Sequence, residues 1–158
     1  MLIRPMLDTA DRDALREVIR ATDMFTAEEE KVAVELMDTF LEQPCQSDYI
    51  VDVLEDEAGR PAGYVCYGPT PMTEGTYDLY WIAVHPGAQR RGYGKALLAQ
   101  VENTVKQKKG RVVVIETSSQ DKYMPTRQFY LRAGYTECAR IRDFYRPGDD
   151  RVIYCKYL

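Results

Sequence analysis

The segment that most restricts this chain is Ile82-Ala-Val-His-Pro-Gly-Ala-Gln-Arg-Arg-Gly-Tyr-Gly-Lys-Ala-Leu97. A β-forming run from Thr76 to Val84 feeds through a glycine-punctuated turn into a helix expected from Tyr93 to Lys108, with Leu97, Leu98, Val101 and Val105 on one face. Gly110 closes that helix, and Arg111-Val-Val-Val-Ile-Glu116 follows as an apolar strand of the buried parallel kind. The result is a strand, helix, strand unit with a loaded turn. Glycines at 92 and 94 let the backbone approach a ligand closely, and the unpaired amides of a helix start favour an anion. Arg90, Arg91 and Lys95 add positive charge at the same place.

Around this unit the patterning predicts a short strand over Met1 to Met6. A helix capped by Thr9 follows, and then a second helix opening at Thr26-Ala-Glu-Glu29 with capping-box spacing. Runs at Asp48 to Asp56 and Ala62 to Tyr67 read as an antiparallel hairpin. After residue 116 come a helix begun by Pro125 and a closing hairpin of Glu137 to Tyr145 with Arg151 to Tyr157. No linker, repeat or low-complexity stretch divides the 158 residues, so one domain over 1–158 is expected.

Two phosphate-binding signatures fail on the residues. Gly94-Lys95 is followed by Ala96, where a Walker loop needs Ser or Thr. A Rossmann turn follows its strand directly, whereas seven residues separate Val84 from Gly92, and Leu97 fills the third small position. A dinucleotide-binding protein is therefore a remote alternative.

Gln89, Gly92 and Gly94 fit the form Gln/Arg-x-x-Gly-x-Gly/Ala, with Leu79-Tyr-Trp-Ile-Ala-Val-His-Pro86 before them and Arg127-Gln-Phe-Tyr-Leu-Arg-Ala-Gly-Tyr135 after. In these residues the chain resembles the GNAT superfamily of acyl-coenzyme A N-acyltransferases, most specifically over 76–135. The resemblance implies a mixed α/β (α+β) fold: a mostly antiparallel sheet of about six or seven strands with flanking helices, in which parallel strands four and five splay apart. It implies acetyl-CoA as co-substrate, the pyrophosphate held around Gln89, Arg90, Arg91, Gly92, Tyr93, Gly94 and Lys95, and the pantetheine arm along Ile82, Ala83 and Val84. Tyr123 stands where many members carry a cofactor-contacting asparagine. Tyr130 matches the tyrosine that points its hydroxyl at the departing sulfur. The tail at Asp143 to Asp150 and the loop at Asp23-Met-Phe25 fall where members line the acceptor site.

Transfer of an acyl group to an amine poses two proton problems. An alkylammonium of pKa about 10 must lose a proton before it attacks, and a departing thiolate of about 8.5 benefits from receiving one. Asp78 and Glu116 are the candidate bases and Tyr130 the candidate acid. If the strand stays regular, Asp78, Tyr80 and Ile82 share one face. No cysteine sits with a His or Lys that would activate it, which favours direct attack in a ternary complex. A coenzyme A-binding module without catalysis is the alternative, since fold alone does not imply function.

Charge is uneven. Residues 1–57 hold 16 acidic against 5 basic groups, whereas 87–111 hold 7 basic groups against Glu102 alone. This points to an anionic ligand near the middle and to a cationic or amine acceptor over the acidic helices, whether small molecule, peptide or protein. A pI of about 5.1 argues against nucleic acid, and a homodimer is left open. Cys45, Cys66, Cys138 and Cys155, with His85 as the sole histidine, form neither a metal cage nor a disulfide framework. Cys138 and Cys155 are expected as reduced thiols on paired strands. Arg4 and Pro5 interrupt the place where a signal peptide needs its apolar block, and no apolar run reaches membrane-span length, so a cytoplasmic setting is expected.

Overall fold

A computed structural model describes residues 1–158. The order is β1 (Leu2–Pro5), α1 (Thr9–Ala21), α2 (Ala27–Glu42), β2 (Ile50–Glu55), β3 (Pro61–Pro69), β4 (Thr76–Val84), α3 (Tyr93–Gln107), β5 (Val112–Ser118), α4 (Met124–Arg132), β6 (Thr136–Arg146) and β7 (Asp149–Tyr157), with short 3-10 turns at Pro86–Ala88 and Asp121–Tyr123. The strands form one seven-stranded sheet in the order β1-β2-β3-β4-β5-β7-β6. Only β4 and β5 pair in parallel; every other neighbouring pair is antiparallel.

Two apolar layers sandwich the sheet. On one face Leu15, Val18 and Ile19 of α1 and Met37 of α2 pack on Val51, Val53 and Tyr64. On the other, Leu97, Leu98, Val101 and Val105 of α3 meet Val113 and Ile115, joined by Tyr130, Tyr135 and Tyr154. The α3 stripe is the one its 3-to-4-residue spacing requires.

Helix starts follow local chemistry. Thr26 and Glu29 close the capping box before α2, as their spacing requires. The cap of α1 is Asp8 rather than the expected Thr9, because the Asp8 carboxylate reaches the Asp11 amide at 3.0 Å. The expectation of two reduced thiols fails: Cys138 and Cys155 are joined in a disulfide between β6 and β7, their Cα atoms 6.1 Å apart. The register slips between Glu137 and Ala139, so Cys138 is the extra residue on β6 at this point of the ladder. Cys45 and Cys66 remain free. No helix is long and apolar enough to cross a membrane.

Candidate functional site

The site begins where a ladder stops. β4 and β5 pair from Thr76 and Val112 up to Leu79 and Ile115, and no pairing joins Tyr80–Val84 to Glu116–Ser118. Beyond Leu79 the strands splay, leaving a cleft of about 950 Å³ through the sheet. Such a break in a parallel pair is where open α/β sheets take ligands.

A bulge in β4 sets what faces the cleft. Cys66 lies opposite Trp81 and Tyr67 opposite Leu79, so Tyr80 is the extra residue. Before it, Tyr77 and Leu79 belong to the layer under α3; after it, Ile82 and Val84 do, while Tyr80, Trp81 and Ala83 pack with α1 and α2. The expectation that Asp78 and Ile82 share a face is thus corrected, because the inserted residue reverses the alternation. Asp78 nonetheless lines the cleft, with Oδ2 accepting a 2.7 Å hydrogen bond from the Thr70 hydroxyl.

Glu116 lines the opposite wall and is ion-paired to Arg151 of β7, whose guanidinium also lies 4.8 Å from the Phe144 ring. Tyr130 reaches the cleft from α4. It is buried against Phe129, Tyr135 and Tyr154, its hydroxyl has no hydrogen-bond partner in the protein, and burial pushes its pKa strongly upward. It is therefore a protonated phenol at neutral pH. Arg127, one turn earlier on α4, donates to the carbonyls of Ser118 and Gln120 at 2.8 Å each and ties α4 to the end of β5.

At the far end of β4 the side-chain amide of Gln89 donates to the Val84 carbonyl at 3.2 Å, linking the cleft to the turn before α3. Arg90 and Gly92 have left-handed backbones, with φ of 62° and 82°. None of the backbone N–H groups from Arg90 to Lys95 has an acceptor within the protein, and Arg90, Arg91 and Lys95 stand exposed without an ion pair. Six amides and three cations at the start of a fifteen-residue helix make a ready anion seat. Gly94 serves packing as well, since a Cβ there would lie 3.2 Å from the Phe129 ring. The Tyr93 ring is buried in the core, leaving only its amide for a ligand.

Of the residues picked from the sequence, Asp78, Ile82, Ala83, Val84, Gln89, Glu116, Tyr123 and Tyr130 line one cleft; Arg90, Arg91, Gly92, Tyr93, Gly94 and Lys95 adjoin it through Gln89. Tyr123 forms part of a strap rather than an open contact. Its hydroxyl and the Lys122 ammonium both donate to the Met24 carbonyl, at 3.1 and 2.9 Å, joining the α1–α2 loop to the turn after β5. Burial lifts the Tyr123 phenol to about 12. Sequence reading missed Glu29, Trp81, Lys122 and Arg151, which also line the cleft. Only Trp81 carried a local signal, as a large aromatic beside the strand break.

The acidic surplus of the N-terminal third sits mostly elsewhere. Glu30 is shared by Arg16 and Arg20, Asp38 is held by Arg12, and Asp11 and Glu55 are held by Arg4. From α1 and α2 only Glu29 contributes a carboxylate to the cleft.

Residues 12–135 match the Acetyltransferase (GNAT) family. A GNAT-family protein of known structure from Desulfovibrio desulfuricans is 46% identical, covering 99% of this chain and 98% of that one with a TM-score of 0.93. An acetyltransferase-class protein from Salmonella typhimurium, solved with its cofactor acetyl-CoA, shares the fold at 22% identity and a TM-score of 0.75, covering 100% of this chain and 94% of its own. So does an aminoglycoside 6′-N-acetyltransferase complexed with coenzyme A, at 16% identity and 0.78, covering 99% and 97%. A search of curated proteins found no match.

Proposed function

The chain belongs to the GNAT family of acetyltransferases, and from that premise we propose that it moves the acetyl group of acetyl-CoA to a primary amine by direct attack. One observation carries this reading. The splayed β4–β5 gap has a free-amide, cationic helix start at one end, and a carboxylate and a buried protonated phenol both line it.

In this reading the amides and cations of residues 89–95 hold the pyrophosphate of the co-substrate, and the unpaired edge of Ile82 to Val84 receives the pantetheine arm. Asp78 takes a proton from the ammonium, through a water where its short side chain does not reach. The amine nitrogen then bonds to the thioester carbonyl carbon, the carbon–sulfur bond breaks, and Tyr130 protonates the leaving thiolate. Glu116, already paired with Arg151, anchors the opposite wall and ranks second as base.

Calorimetric titration with acetyl-CoA, paired with a free-thiol assay over a panel of amines, tests the reading. Lys95→Glu should weaken acetyl-CoA about tenfold or more, with a salt-dependent deficit, and leave the fold intact. Charge reversal there is a cleaner probe than substitution of Gly94, which would also displace Phe129. Unchanged affinity would remove the loop from the site. Tight acetyl-CoA binding without thiol release on any amine would instead mark a coenzyme A-binding module.

A further inference from the structure

The cleft half facing α1 and α2 is aromatic. Phe25 packs against Trp81 with ring centroids 5.6 Å apart, Tyr49 meets Tyr80 edge-on at 5.5 Å, and all four line the cleft. Its carboxylates are partly committed. Asp149 accepts through both oxygens, from the side chains of Ser118 and Gln120, whereas Asp78, Glu29 and Glu116 each keep one oxygen without a hydrogen-bond partner, the other accepting from Thr70, the Thr26 amide and Arg151 respectively. The Lys122–Tyr123 strap to Met24 also lines the cleft and brings an ammonium to it.

We propose that the acceptor is a primary amine carried on an apolar, aromatic-sized body. The open oxygen of Asp78 receives its ammonium. The rings of Phe25, Tyr80 and Trp81 bury an apolar body and present electron-rich faces to a cation. A polyamine or amino-sugar brings no apolar body for these rings to bury and sets further positive charge near Lys122 and Arg151. This inference rests on the acyl-transfer reading and names the substrate of that same site.

Thiol release from acetyl-CoA should be compared with 2-phenylethylamine, tryptamine, spermidine, kanamycin and a peptide with a free N-terminal alanine. The arylalkylamines should lead in kcat/KM by about tenfold or more. Phe25→Ala and Trp81→Ala should each lower that value by about tenfold, chiefly through KM for the amine, with the calorimetric affinity for acetyl-CoA unchanged. If Trp81→Ala does not fold, Phe25→Ala, in a loop, carries the test. Preference for spermidine, kanamycin or the peptide would overturn the inference and leave acyl transfer standing, as would indifference of the arylalkylamine rates to the folded variants. Absence of release with every amine, while acetyl-CoA binds, would overturn acyl transfer itself.

Discussion

Tyr130 packs its ring among three aromatic neighbours on the cleft wall, and its hydroxyl bonds to nothing in the protein. Removing that oxygen leaves no broken partner, so Tyr130→Phe should keep the melting temperature while kcat falls by about a hundredfold, the usual reach of a general acid. A kcat within about twofold of the parent, with chemistry rate-limiting, would assign the tyrosine to packing. Its place was legible because helix α4 is local and its motif contiguous. The facing of Asp78 was not, since the extra residue at Tyr80 depends on how β3 pairs with β4, a long-range register that no residue near Asp78 announces. Likewise Glu116 acquires Arg151 from a strand 35 residues away.

Among the elements, α1 and α2 carry nine of the 25 carboxylates and pair several of them with arginines of α1. Arg12 bridges from α1 to Asp38 on α2, and Arg16 and Arg20 share Glu30. These pairs are solvent-screened and contribute little to stability. Glu30→Gln together with Asp38→Asn should therefore leave the urea midpoint nearly unchanged and leave kcat/KM for the amine unchanged across a salt series. A rate that falls as these carboxylates are neutralised would restore long-range steering by the helices. The elements themselves were legible wherever the signal was periodic or local: the α3 stripe, the capping box of α2 and all seven strands. Composition misled because a run of acids shows charge without showing which arginine faces it. The hairpin pattern places Cys138 and Cys155 on neighbouring strands; their joining was missed because the expectation of reduced thiols came from a cytoplasmic setting rather than from any residue near them.

For the whole molecule, two buried carboxylates should tilt stability against pH in opposite directions. Asp52, on β2, accepts from the Tyr67 hydroxyl at 3.1 Å and from Gln100 of α3, and has its pKa raised by burial. Its folded form holds a proton at a pH where the unfolded chain, near about 3.9, has begun to lose it. Its contribution is thus complete below that value and lost as pH rises through the folded pKa. Asp11 is the reverse case. Hydrogen bonds from Arg4 at 2.6 and 2.9 Å, with the Leu7 amide, depress its pKa, so its contribution is present above about 3.9 and lost as pH falls through the depressed value. Urea midpoints followed from about pH 7 down to pH 3 should therefore show Asp52→Asn more stable than the parent at neutral pH, the gain vanishing on acidification. Asp11→Asn should be less stable by about 2 kcal/mol at neutral pH, with the deficit shrinking over the same descent. Parallel curves for both variants would mean that neither carboxylate titrates differently in the folded and unfolded chain. A neutral-pH loss in Asp52→Asn would mean that its charged bonds to Tyr67 and Gln100 outweigh the cost of burying it.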